Sequence, residues 1–522
     1  MKKTIGWILA VLLCLTSVIG CTGVSESTAQ TNADEAGTSA AAETNETADA
    51  VQTDPFTVSD DSRPPEPPDG MGDPPDGMGT PPDGMGAPPD GMGAPPDGMG
   101  EPPSGGFGGM NGPGGSTSSF TYTAATEITS AETQEDRTYA SSTADESALI
   151  VSTADEVTIV SPTVTKTGDS NGGDNCNFYG LNAAVLVKDG TTTVISGGTI
   201  TSAASGANGV FCYGGNGGRN SAAGDGTTLY ISDTTISTSG SGSGGIMTTG
   251  GGVTYANNLT VSTSGQSSAP IRTDRGGGCV YVEGGTYTSD GLGSPAIYST
   301  AEIHVNNAAL ISNLSEGVCI EGKNSIELVD CTLTANNTRC NGNATFFDTI
   351  MIYQSMSGDA DSGTSAFTMT GGTLTSRNGH VFHVTNTNAV ITLNNVLIVN
   401  EDGENILLSV CADGWSGAGN VATLNAIGQT LSGTILVGSD SVLTLNLTNG
   451  SQFFGTVSGE ITNAKGAAVS TEVGTVSVVL DETSTWTLTG DTYITSFDGD
   501  ASNVISNGYT LYVNGVALTG TN

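Results

Sequence analysis

From Ala148 onward, apolar and polar side chains alternate in short runs broken by Gly, Asn, Asp and Ser. A period of two is the pattern of strands, and helical periodicity is almost absent. One opening phrase recurs: "ALIVST" at 148, "AVLVKD" at 184, "GVFCYG" at 209, "GIMTTG" at 245, "APIRTD" at 269, "PAIYST" at 295, "GVCIEG" at 317, "IMIYQS" at 350, "HVFHVT" at 380 and "ILLSVC" at 406. A second alternating phrase follows each, and often a third such as "SGGTITS" (Ser196 to Ser202), "EGGTYTS" at Glu283 or "TGGTLTS" at Thr370. Three short strands per repeat, with a shortest spacing of about 22 residues, suit one turn of a parallel β-helix. Successive turns would lie roughly 4.8 Å apart and complete each other's backbone hydrogen bonds. Longer intervals such as "GDSNGGDNCNFYG" and "CYGGNGGRNSAAGDG" read as loops leaving a corner, and the rhythm continues almost to the C-terminus. An array of β-sandwiches would need antiparallel hairpins with tight two-residue turns, which the three-phrase repeat disfavours.

The chain before this point has no such pattern. Lys2 and Lys3 precede an apolar run from Ile5 to Ile19 that ends in "VIGC". The run is short for a membrane span and reads as a secretion signal over residues 1–20. The Gly20-Cys21 junction resembles a bacterial lipobox, which implies lipidation of Cys21 and an anchor to the membrane outside the cytoplasm. Residues 21–117 are acidic and rich in Pro, Gly and Met, with "PPDGMG" repeats between 67 and 100. Pro-Pro pairs and paired glycines exclude a helix, and the glycine spacing excludes collagen. This segment is expected to be a disordered stalk. Residues 118–147 are a transition or N-terminal cap, and 148–522 the β-helix domain.

Composition narrows the partners. A formal charge of -40 with only 13 Lys and Arg in 522 residues repels nucleic acid and anionic lipid. Besides Cys14 and Cys21 there are seven cysteines, with no CxxC pair to suggest zinc or redox chemistry. Core packing is their default role. Cys331 and Cys340 could close a local disulfide in an oxidising compartment.

The phrases "SGGTITS", "RTDRGGG", "GSPAIYST", "EGKNS", "MIYQSMSGDAD", "TMTGGTLTS" and "STWTLTGDTYITSFDGD" together resemble secreted or lipid-anchored bacterial Gly/Thr/Ser-rich proteins. That resemblance covers roughly 148–520 and implies an all-β fold, a right-handed parallel β-helix of the pectin-lyase-like kind. It also implies an adhesin-like or carbohydrate-binding surface protein. Fold alone does not carry function, because one solenoid hosts lyases, hydrolases and inert binders.

Candidate chemistry is sparse. If the third residue of each opening phrase faces inward (Leu186, Phe211, Met247, Ile271, Ile297, Cys319, Ile352, Phe382, Leu408), the fourth faces outward. Arg272, Tyr298, Tyr353 and His383 would then form an outward stripe, with the two tyrosines about 9 to 10 Å apart. Such a stripe suits a polysaccharide, since sugar rings stack on aromatics and Arg grips carboxylates or hydroxyls. Arg272, Asp274 and Arg275 in "IRTDRGGG" are where a calcium-dependent polysaccharide lyase would place its machinery. The positions matching Asp274 on adjacent repeats are Gly250 and Thr300, too few oxygens for a hard cation. Asp169 and Asp174 in "GDSNGGDN", and Asp359 and Asp361 in "SGDADSG", have the spacing of weak calcium loops, although turns favour the same residues. His380 and His383, three apart on a strand, should face opposite sides. The expectation is a non-catalytic surface lipoprotein that binds extracellular polysaccharide or another surface polymer. No cofactor is called for, and calcium is the one candidate ion. A lyase and an inert structural solenoid are the alternatives.

Overall fold

A computed structural model describes residues 120–355 and 357–522. The secretion signal, the lipidation site at Cys21 and the stalk to 117 lie outside the described residues. What is described is a parallel β-helix with three long faces. Sheet A has fifteen strands, from Thr123–Ile128 to Val504–Ile505; sheet B has fourteen, from Glu132–Glu135 to Ser496–Asp498; sheet C has ten, from Thr138–Ser141 to Leu397–Asn400. Each coil donates one strand to each face in the order A, B, C, and every pairing within these faces is parallel. Among the described residues the first solenoid strand is Thr123–Ile128, so the segment expected to be a cap or transition already supplies strands to all three faces. After Asn400 sheet C ends and the coils continue on faces A and B.

The alternation noted in the sequence fills the interior. On sheet B, Leu229, Thr254, Val280, Ile303, Ile326 and Phe367 form one buried column. On sheet C, Val164, Ile200, Ile236, Val261, Tyr287, Leu310, Leu333 and Leu374 form another. Like residues meet like because the pairing is in register, so apolar area is removed from water along the whole axis.

Two corner devices set the cross-section. Between faces B and C the chain passes through one left-handed residue per coil, among them Asp233, Asn258, Asn307, Asp330 and Asn395 with φ between 50° and 55°, or through a left-handed glycine pair such as Gly197–Gly198. Asn and Asp tolerate this conformation far better than residues with bulkier β-carbons. The corners are also tied together: Asn258 Nδ2 donates to Asp233 Oδ1 at 2.7 Å, and Asn307 Nδ2 to Glu283 Oε1 at 2.7 Å. Between faces C and A, buried Ser243, Ser268 and Ser294 form a ladder in which each serine's Oγ accepts a backbone N–H from the preceding coil. Replacing Asn258 by Val should lower the unfolding free energy by about 1–2 kcal/mol, the cost of a branched side chain in this conformation. Asn258→Gly should stay close to wild type, and urea titration followed by circular dichroism separates the two.

On face A the expected inward set holds in part: Ile271, Ile297, Ile352, Phe382 and Leu408 are interior as expected, and on the other four coils the strand is offset by one residue. The interior column is Val185, Val210, Ile246, Ile271, Ile297, Val318, Ile350, Phe382 and Leu408. Leu186, Phe211, Met247 and Cys319 point to the other side, while Val187, Cys212 and Ile320 belong to the interior. A slip of this kind exchanges the two faces of a strand. Its cause is physical: loops cover the outside of face A, so both sides of these strands are buried and the alternation is lost.

Candidate functional site

The residues singled out in the sequence lie beneath that loop layer. Arg272 and Tyr298 are neighbours on successive strands, and the same outward column continues through Cys319, Met351 and His383. Tyr353 is not in it; it pairs with Glu321 and Thr385, two positions along. The expected open stripe is absent because its members are covered. His383 is 0% exposed and Tyr353 8%. The Tyr298 hydroxyl donates to Glu321 Oε2 at 2.5 Å, the Tyr353 hydroxyl to the same oxygen at 3.1 Å, and Ser355 Oγ to the other carboxylate oxygen. Trp415, from a later loop, lies over Tyr353 with ring centroids 4.9 Å apart.

The charged cluster is likewise internal. Arg272 Nη2 donates to Asp274 Oδ2 at 2.7 Å and its guanidinium lies 5.6 Å from the Tyr298 ring centre. Arg275 pairs with Asp359 and sits 3.7 Å from the centre of the Phe178 ring, on the short helix Asp174–Phe178. Asp361 pairs with Lys323 at 3.0 Å, and Asp169 Oδ1 accepts the backbone N–H of Ser205. Asp174 opens the short helix. The carboxylates proposed for calcium thus serve as ion-pair partners, turn acceptors or helix-end residues. Among the described residues, no group of three or more His, Cys, Asp or Glu is arranged to hold a metal. Burial raises the Asp274 carboxyl to about 6 against the pull of Arg272. The arrangement pins loops to a sheet and leaves a uronate no approach to Arg272.

His380 and His383 also differ from expectation, since both place Nδ1 2.7 Å from Ser409 Oγ and both rest against Phe346. His380 begins its strand, where the chain is still leaving a turn, so strict alternation does not apply. The seven cysteines of the described chain are unpaired with one another, and Cys331 is interior, its thiol facing Val305 O at 3.3 Å. No Cys331–Cys340 disulfide forms.

The accessible chemistry is on face B. Tyr230, Tyr255, Tyr281 and His304 occupy one outward column on four successive strands. Their rings stack nearly parallel, with centroids 4.9, 5.0 and 5.0 Å apart. Tyr230 is 39% exposed and the other three are half-buried. On the preceding strand the column holds only Val194 and on the following one Glu327. His304 closes the row between two carboxylates, Glu302 at 2.8 Å and Glu327 at 2.9 Å, whose hydrogen bonds raise its pKa, that of Glu302 most. Asn257, Glu283 and Asn306 run alongside. Burial raises the Tyr255 and Tyr281 hydroxyls, so at neutral pH they are protonated donors.

Stacking uses the ring faces on one another. What remains outward is a row of hydroxyl-bearing edges at the rung spacing, plus the open face of Tyr230 beside the smaller Val194. The signal was present in the sequence as "TLYIS", "VTYAN", "CVYVE" and "EIHVN", but it sits in the second phrase of each repeat, at unequal intervals. No family model, curated protein or solved structure matches this chain.

Proposed function

We propose that this protein is a non-catalytic surface lipoprotein, anchored through Cys21, whose β-helix binds an extended extracellular polysaccharide along face B. The observation that supports it is the Tyr230–Tyr255–Tyr281–His304 row. Its step of about 5 Å is comparable with the length of one pyranose unit in an extended chain, so successive sugars meet equivalent groups. Phenol hydroxyls donate to sugar oxygens, Glu283, Glu302 and Glu327 accept from sugar hydroxyls, and the free face of Tyr230 can take a sugar ring. Catalysis is not part of the proposal, because the Arg272–Asp274–Arg275 cluster is spent on internal ion pairs.

The test is retention of the purified protein on insoluble plant and microbial polysaccharides. Tyr255→Ala removes two stacking contacts and one donor, and should weaken retention on the preferred polymer by about tenfold, equivalent to about 1.4 kcal/mol. Tyr255→Phe keeps the stack and should cost only the hydroxyl's share, about 0.5–1.5 kcal/mol. Retention unchanged by both substitutions would remove face B from the account.

A further inference from the structure

Face C has a different surface. Its first outward column reads Thr138, Thr163, Thr199, Thr235, Thr260, Thr286, Ala309, Thr332, Thr373 and Leu397, with threonine at eight of ten positions. Two residues further along each strand, the second column reads Ala140, Thr165, Thr201, Ser237, Ser262, Thr288, Ile311, Thr334, Thr375 and Val399. All these side chains are exposed or half-buried.

Strand propensity alone does not account for this. Face B obeys the same backbone preference, yet its central outward column holds Tyr, His, Glu, Asn and Val beside a few threonines. Nor is charge absent by chance in so acidic a protein. The ten strands of face C contain a single charged residue, Lys166, and its side chain is buried. Face B carries Glu132, Glu135, Glu156, Glu283, Glu302 and Glu327 in its strands. The hydroxyls also differ in what they do. Among the described residues, Ser237 and Ser262 bond to each other at 3.3 Å, and no threonine hydroxyl of the two columns bonds to protein.

We infer that face C is an ice-adhesive surface, a two-column lattice of hydroxyl and methyl groups that holds ordered water in register with a crystal of ice. The nine strand pairings of face C contain no bulge or register shift, so the lattice is regular. Its steps are about 4.8 Å between rungs and about 6.6–6.8 Å between columns, over a length of roughly 40 Å. Both steps lie close to oxygen–oxygen repeats on faces of hexagonal ice. Threonine suits the task because its methyl holds a cage of water while its hydroxyl bonds into that cage. Its branched β-carbon also fixes the side-chain rotamer, so little order is lost on contact. A charge would orient water radially and break the lattice, which explains its exclusion.

The experiment uses the full chain in two assays, partition into a slowly grown ice hemisphere and inhibition of ice recrystallisation. Wild type should be enriched in ice relative to an inert protein of similar charge. Thr235→Lys combined with Thr260→Lys should cut enrichment by about tenfold or more, with unchanged thermal unfolding, while Thr228→Lys on face B should not. Polysaccharide retention, run in parallel, should be indifferent to the face C double variant, so the two surfaces fail independently. Absence of enrichment in ice, or enrichment that the double variant leaves intact, would overturn the inference. So would loss of polysaccharide retention in that variant without an effect on ice, which would make face C a seat for a crystalline glycan.

Discussion

Arg275→Ala is expected to loosen the loop layer over face A by about 3–5 kcal/mol, the cost of leaving one partner of a buried ion pair uncompensated. Arg275 and Asp359 expose only 12% and 20% of their side chains. The guanidinium also lies on Phe178, so one truncation removes the ion pair to Asp359 and the contact to the short helix, leaving Lys323–Asp361 to hold the 357–363 segment. Hydrogen exchange should show the loss locally, in residues 174–184 and 357–363, before the strands of the solenoid are affected. Arg275→Met preserves bulk against Phe178 but not charge, and should fall near the alanine variant if the Asp359 charge dominates. A global loss with uniform exchange would mean that the layer is not a separate unit.

Asp348→Asn is expected to stabilise the protein at neutral and alkaline pH. Asp348 is fully buried, neither carboxylate oxygen has a hydrogen-bond partner among the described residues, and Glu316 and Asp413 lie nearby. Burial first, then those two neighbours, push its pKa well above the ordinary carboxylate value. A raised folded pKa means that the group's contribution is fully present below the unfolded value of about 3.9 and is lost as pH rises through the folded pKa. Asparagine cannot ionise. The variant should approach wild type near pH 4 and gain on it as pH rises toward 8, by about 1.4 kcal/mol for each pH unit between the unfolded and the folded pKa of Asp348. Asp413 behaves oppositely: burial raises its pKa, but the His383 ring, with Nε2 3.4 Å from Oδ2, and hydrogen bonds from Thr345 hold it below the usual range. His380, which burial pushes down to about 3, supplies stability above its unfolded pKa that is lost as pH falls. Thermal unfolding of wild type and variant across pH 4–8 checks the sign. A variant less stable at every pH would show that Asp348 has a partner worth keeping.

The β-helix was legible because its strands, its "SGGTITS" type phrases and its Asn, Asp and Gly corners each act within one coil. The covered face was not. Leu186, Phe211 and Met247 are as apolar as the residues on the true interior column, so pattern alone could not choose between the two sides. Tyr298 and Tyr353 looked like a platform because sequence cannot show that the loop carrying Trp415 returns over them. The two accessible faces had visible signals of another kind. One was an aromatic recurring in the second phrase, and the other a threonine on each side of an apolar residue in the third, a pattern that half-buried strands favour in any case.

Up to Asn400 each coil pairs only with the coils before and after it, with the same three faces and a similar left-handed corner. A whole coil could therefore be duplicated or lost in one genetic step, and the neighbours would close on each other with the same hydrogen bonds. Such an event adds or removes one rung from both accessible surfaces at once. Under the proposed readings of faces B and C, the strength of attachment in a lineage built this way becomes a matter of counting, since every added rung would act at a site already held close to its target.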